Sequence, residues 1–227
     1  MDLKRAAAEA AAALVQPGMV LGLGTGSTAA LFVQALGARI RAGLHIVGGV
    51  PTSQATAALG LAEGVPLTTL AAHPAIDLAV DGADEVHAAT LDLIKGGGGA
   101  LLREKIVASA SRRFVVVADA GKLVDRLGQG FAVPVELVPF AAAPVLARLA
   151  ALGARDVAIR QASDGGEFIT DNANLIADAR FDPIDDPAVL EAAILNITGV
   201  IDCGLFVGRA DEVLVGSADG VRRLLRA

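Results

Sequence analysis

Two stretches, AIDLAVDG (75–82) and RFVVVAD (113–119), are apolar without alternation, and the helical segment GALLREKIVASAS lies between them. A strand with one wet face alternates apolar and polar residues. A continuous apolar strand is buried on both faces, and two such strands joined by a helix belong to a parallel sheet covered on each side. The same grammar runs through the first half of the chain. MVLGLG (19–24) predicts a short buried strand, GTGST a turn and AALFVQALGARI a helix. HIVGGVP (45–51) predicts a strand, SQATAALGLAEG a helix and VPLTTL a further strand. Apolar positions at Leu3, Ala7, Ala10 and Leu14 mark one face of a helix over 3–15, with Asp2 placed to cap it and Pro17-Gly18 to end it. This half is expected to be a doubly wound, mainly parallel α/β domain of the Rossmann-like kind.

After Lys122 the pattern changes. AVPVELVP (132–139) predicts a strand, AAAPVLARLAAL a helix and DVAIRQ a strand. FITDNANLIADA predicts a hairpin about Asp171–Asn174, DPAVLEAAILNI (186–197) a helix and VIDCGLFVG a strand. That order is a split β-α-β-β-α-β unit, the ferredoxin-like arrangement. The expected organisation is therefore residues 1–130 plus 200–227 as the main domain. Residues 131–199 form a smaller inserted α+β domain, and the chain returns through EVLVG and a last helix, ADGVRRLLRA.

Composition narrows the function. The chain has 227 residues, 54% hydrophobic and 19% charged, which suits a folded protein with a sizeable core. No apolar run approaches the roughly 20 residues of a membrane span, and the alanine-rich start carries Glu9 and reads as an amphipathic helix rather than a signal peptide. Net charge is −6, basic residues are not clustered and Trp and Tyr are absent, which argues against nucleic acid. Cys203 is the single cysteine, so no intrachain disulfide forms and a cytoplasmic location is expected. Only Lys4, Lys95, Lys105 and Lys122 among the 19 basic residues are lysines, three of them within 95–122. An ammonium is a compact point charge that a planar guanidinium cannot replace in a tight anion site.

Three stretches carry chemistry. GLGTGST (22–28) joins a strand to a helix, where backbone N–H groups and the helix dipole attract anions, and Ser27 and Thr28 add hydroxyls. A dinucleotide fingerprint would need glycine at Ser27 and an acid ending the next strand, and no Walker A pattern occurs. A monophosphate or sugar-hydroxyl site is favoured over a plain turn. DGADE (81–85) follows a sheet strand at its carboxyl end, where open α/β sheets bind ligands. Its spacing fails the calcium-loop pattern at Val86, and His45, His73 and His87 are scattered, so no metal is expected. For Asp84 and Glu85 the alternative is a solvent-facing acidic turn. KGGGGALLREK (95–105) sets four glycines, which free N–H groups and permit close approach, between a cation and Glu104 in the opening turns of a helix. A carboxylate base near oxyanion donors is what proton abstraction beside a carbonyl requires.

Taken together, GLGTGST, GVPTS, DGADE, IKGGGGALLREK, VADAGK, PVELVP, TDNAN and TGVIDCGLF resemble the type A ribose-5-phosphate isomerases nearly end to end. The resemblance implies interconversion of ribose 5-phosphate and ribulose 5-phosphate in the pentose phosphate pathway, through an enediolate and without metal or organic cofactor. It matches Glu104 to the proton acceptor. Thr25, Gly26, Ser27 and Thr28 match a first substrate loop, Asp81, Gly82, Ala83 and Asp84 a second, and Lys95, Gly96, Gly97 and Gly98 a third. Lys122 matches a further substrate contact. Asp81, Asp84 and Lys95 form the candidate set for opening the sugar ring, and Lys95 with the glycine N–H groups for holding the enediolate oxygen. A homodimer or tetramer is expected. Two departures stand out: Ala173 in DNAN occupies a position suited to positive φ, and Gly121 precedes Lys122. Other readings are a non-catalytic sugar-phosphate sensor, an amino-sugar phosphate deaminase or a CoA transferase, all separated by turnover of ribose 5-phosphate.

Overall fold

A computed structural model describes residues 3–226. In chain order the elements are α1 (Leu3–Ala13), β1 (Val20–Leu23), α2 (Ser27–Arg41), β2 (Gly48–Pro51), α3 (Gln54–Ala62), β3 (Leu78–Gly82), β4 (Glu85–His87), β5 (Leu93–Ile94), α4 (Leu101–Ser109), β6 (Phe114–Asp119) and β7 (Leu123–Val124). They continue as β8 (Val133–Leu137), α5 (Ala142–Ala151), β9 (Asp156–Ile159), β10 (Leu175–Arg180), α6 (Pro187–Leu195), β11 (Val200–Cys203), β12 (Leu205–Phe206), β13 (Glu212–Ser217) and β14 (Gly220–Leu225). The chain divides into two compact units. One comprises Met1–Ala83, Arg103–Leu123 and Arg209–Ala227, the other Asp84–Leu102 and Val124–Gly208.

The first unit is built on a six-stranded sheet in the order β14-β13-β6-β3-β1-β2. Every neighbouring pair is parallel except β13 with β14. Alanines 7, 8 and 11 of α1 and Phe32, Val33 and Leu36 of α2 pack on one face, against Leu21, Leu23, Val80, Val115 and Val117. The small α1 face allows close approach, and a methyl at Gly216 of β13 would collide with the Leu3 carbonyl. On the other face, Val107 of α4 occupies the space beside Gly22 and Ala79. Helices on both faces explain why these strands read as unbroken apolar runs.

Two expected elements differ. ADGVRRLLRA is not a helix: Gly220–Leu225 is the edge strand β14, paired antiparallel with β13 through Ser217↔Gly220 to Glu212↔Leu225. Gly220, with φ +118, turns the chain back, and Arg223 reaches the buried Glu212 carboxylate. So short a segment gains little as a helix, whereas the ladder satisfies the open edge of β13. VPLTTL forms only a single parallel bridge, Gly49↔Leu67, because Pro66 has no N–H to extend it. The proposed Asp2 cap lies outside the described residues.

The second unit contains the split β-α-β-β-α-β order, β8-α5-β9-β10-α6-β11, as an antiparallel sheet β11-β8-β10-β9. Val133, Val135 and Leu137 pack with Val145, Leu149, Ala177 and Ile194 to form its core. A second small sheet runs β12-β5-β4-β7. Residues 84–102, 124–130 and 200–208 join this unit as well as 131–199, for identifiable reasons. Lys95 N–H donates to Gly204 O, Gly204 N–H to Pro134 O, and Gly208 N–H to the Asp92 carboxylate. Glu85 adds three more bonds, its carboxylate accepting from the N–H groups of Gly128, Gly130 and Phe131. Ala173 has φ +60, as its place in the hairpin suggests. The TDNAN turn around it is tied to the buried Glu136, whose Oε1 accepts from Thr170, Asn172 and Asn174.

Candidate active site

In the first unit, three parallel strands deliver the sequence motifs to one edge. GTGST follows β1, Asp81 and Gly82 end β3, and Lys122 lies in the short turn after β6. The register Leu23↔Val80 and Asp81↔Val116 makes these carboxyl ends neighbours. Helix α4, packed under β1 through Val107, brings the buried Glu104 in its first turn.

Asp81 is buried, and its Oδ1 accepts from Thr25 N–H at 3.1 Å and from Gly82 N–H at 2.7 Å. The GTGST turn is thus fastened to the strand that carries the acid. Glycine at position 24 is required by this closeness, since a Cβ there would fall 2.2 Å from the Asp81 carboxyl carbon. The Thr25 hydroxyl is committed to a cluster with Thr52 at 2.7 Å, Ser53 at 2.9 Å and Thr56 at 3.1 Å. Thr52 and Thr56 in turn donate to the carbonyls of Leu23 and Gly24. The GVPTS motif therefore shapes the first loop from behind.

Gly26, with φ +112, opens α2, and the N–H groups of Ser27 and Thr28 stand in its first turn, where an intrahelical acceptor does not exist. Lys4 donates to the Ser27 hydroxyl at 3.3 Å. Backbone donors, two hydroxyls, a helix dipole and an ammonium are together the kinds of group that attract an anion. Sequence reasoning missed Lys4, although its rarity as a lysine was the available signal. Asp119 caps the turn holding Lys122 by accepting from Gly121 N–H at 3.0 Å, which steadies the position that the extra glycine loosens.

The second unit carries Asp84, Lys95 and the glycine loop. Asp84 accepts from Gly97 N–H at 2.7 Å, so it orders that loop instead of facing solvent. Glu85 is buried, its carboxylate taken up by the N–H groups of Gly128, Gly130 and Phe131. Lys95 is 2% exposed, and its Nζ lies 5.5 Å from the centre of the Phe206 ring. Gly96 and Gly99 have φ of +99 and +80, which side-chain-bearing residues adopt with strain. Arg160, also missed by sequence reasoning, donates to the carbonyls of Gly96 and Gly97.

Residues 48–220 match the family described as ribose 5-phosphate isomerase A (phosphoriboisomerase A). The chain belongs to that family. Ribose-5-phosphate isomerase A of Gluconobacter oxydans is 51% identical over 218 residues, covering 96% of this chain and 94% of that protein. The structure of ribose 5-phosphate isomerase A from Methanocaldococcus jannaschii superposes with a TM-score of 0.95 at 47% identity, over 99% of both chains. A D-ribose-5-phosphate isomerase in complex with phospho-erythronic acid gives a TM-score of 0.95 at 42% identity, over 99% of this chain and 98% of that one. Among the described residues no helix is long and apolar enough to cross a membrane.

Proposed function

We propose that this member of the isomerase A family interconverts D-ribose 5-phosphate and D-ribulose 5-phosphate through an enediolate, within the non-oxidative pentose phosphate pathway. The observation that carries the reading is the buried Asp81 carboxylate, bonded to the GTGST turn at the carboxyl end of β3, in a unit whose helix α4 holds a buried Glu104 in its first turn. A sugar phosphate needs an anion site and acid–base groups at a fixed separation, and one rigid framework supplies both.

In this reading the phosphate is held by the N–H groups and hydroxyls of Ser27 and Thr28 with Lys4, and Lys122 contacts the substrate. Thr25 serves by placing the acid, since its N–H is on the Asp81 carboxylate and its hydroxyl is committed to Thr52, Ser53 and Thr56. Asp81, with Asp84 and Lys95, handles the protons of ring opening, moving one from the anomeric hydroxyl and delivering one to the ring oxygen. Gly82 and Ala83 carry the chain past the opened sugar. Glu104 then removes the proton from C2, the electron pair forms the C1–C2 double bond, and the carbonyl oxygen becomes negative. Lys95 and the glycine loop, Gly96 to Gly98, stabilise that oxygen electrostatically. Gly97 N–H is engaged by Asp84, and Gly98 N–H is the exposed donor of the loop. Protonated Glu104 returns its proton at C1 while the C2 hydroxyl proton passes to the O1 oxygen, so that the C2 carbonyl forms and the ketose is complete.

The decisive test is incubation with ribose 5-phosphate while ketose formation is followed. The ratio of ketose to aldose should reach the same constant value from either direction. Binding without turnover would instead establish the sugar-phosphate sensor. The cell compartment is proposed to be the cytoplasm, in keeping with the lone buried thiol of Cys203. A homodimer or tetramer is proposed on the exposed apolar side chains Phe140, Val189 and Leu195, and light scattering after size exclusion checks it.

A further inference from the structure

Arg160 follows β9 and is anchored in its unit by its own N–H, which donates to Ile176 O at 2.8 Å. Its guanidinium does two things. Nε donates to Asp178 Oδ2 at 2.9 Å and Nη2 to Asp178 Oδ1, a forked ion pair. Nη1 leaves that pair and donates to Gly96 O at 2.8 Å and Gly97 O at 3.1 Å, across 64 and 63 residues of sequence. The guanidinium also lies 5.9 Å from the centre of the Phe168 ring. That ring fills the space beside Gly99, where a Cβ would fall 2.3 Å from its edge. An arginine serving only to balance Asp178 has no need of the two carbonyls.

In a planar trans peptide the C=O and N–H point in opposite directions, so a partner on one side fixes where the other side aims. The Gly96–Gly97 peptide has Arg160 on its oxygen and Asp84, at 2.7 Å, on its nitrogen. The Gly97–Gly98 peptide has Arg160 on its oxygen, so Gly98 N–H faces away from the guanidinium. A cation on the carbonyl polarises the amide and strengthens that N–H as a donor. Gly98 is exposed, and its N–H has no protein partner among the described residues.

We propose that Arg160 is a positioning residue for the isomerisation: by holding the Gly96 and Gly97 carbonyls it aims Gly98 N–H at the oxygen that becomes negative in the enediolate. The inference rests on the isomerase reading above, and ketose formation by the wild-type protein tests that reading separately.

The experiment compares Arg160→Ala, Arg160→Lys and the double variant Arg160→Ala/Asp178→Ala. Its readouts are kcat and KM for ribose 5-phosphate, the inhibition constant of phospho-erythronic acid and the thermal midpoint. Arg160→Ala should lose at least about tenfold in kcat while KM changes less than about threefold, since the donor acts mainly on developing charge. Millimolar guanidinium, but not equal sodium chloride, should restore part of the loss saturably. Phospho-erythronic acid should bind more weakly in proportion to the lost kcat. Arg160→Lys should fall between, because one ammonium cannot serve Asp178 and both carbonyls. If Arg160→Ala does not fold, the double variant, which removes the unpaired carboxylate, and Arg160→Lys carry the same comparison. A folded variant with kcat within twofold of wild type overturns the proposal. So does a loss of kcat that guanidinium leaves untouched and that follows the thermal midpoint, which would make Arg160 merely structural.

Discussion

Gly24→Ala adds one methyl group where the GTGST turn meets the strand that carries Asp81. The new Cβ would lie 2.2 Å from both Cγ and Oδ1 of Asp81 and 2.6 Å from its Cα. Ordinary contact begins at 3.4 Å, so going from 2.2 Å to 3.4 Å requires a shift of about 1.2 Å. Rotating the Asp81 side chain does not suffice, because its backbone is also too close. The loop must withdraw, and Thr25 N–H and Gly82 N–H cannot both stay on Asp81 Oδ1. Overpacking of this kind costs about 1–3 kcal/mol of stability. A displacement of about 1 Å at a reacting group costs on the order of 10²-fold in rate. Ketose formation from ribose 5-phosphate should therefore fall by about two orders of magnitude, with a lower thermal midpoint. Gly64→Ala is the control: φ is +77 there and the space around it is open, so it bears backbone strain without touching the loop. It should lose stability and keep its turnover. A folded Gly24→Ala protein with kcat within threefold of wild type would refute the close coupling of the loop to Asp81.

Three further outcomes are expected. Ala173→Gly relieves a φ of +60 in the TDNAN turn and should add about 0.5–1 kcal/mol of stability, read as a thermal midpoint higher by about 2 °C. Ser27→Ala combined with Thr28→Ala should raise KM for ribose 5-phosphate about tenfold or more, as hydrogen bonds to a charged group are lost; an unchanged KM would make that loop a turn only. Lys95→Arg should keep the charge but lose most of kcat, because a planar fork does not fit the buried place of an ammonium, and near-native turnover would show its identity to be incidental.

The parallel sheet was legible because strands buried on both faces write themselves as unbroken apolar runs, as Phe114 to Ala118 do. The end of the chain was not. GVRRLL suits a helix or a strand by local pattern, and a partner outside the segment, the open edge of β13, decides between them. The site divides in the same way. Asp81, Glu104 and the glycines announced themselves as local patterns, and positive φ at Gly96 and Gly99 accounts for two of those glycines. Lys4 and Arg160 reach their loops from 23 and 64 residues away, and nothing in either neighbourhood points to the destination. Asp84 and Glu85 looked alike as acids of one turn. Their separate duties, on Gly97 N–H and on the N–H groups of residues 128–131, exist only after the chain has folded.

Glu104 as the base is the central claim, and exchange of the substrate's C2 proton with solvent tests it most directly. Glutamine preserves the size and hydrogen-bonding reach of the buried side chain but cannot accept a proton. In Glu104→Gln, C2 exchange and turnover should fall together by about 10²–10⁴-fold, with a small change in KM and an unaltered fold by circular dichroism. A folded Glu104→Gln protein that exchanges the C2 proton and forms ketose within a few-fold of wild type would place the base elsewhere and contradict the account.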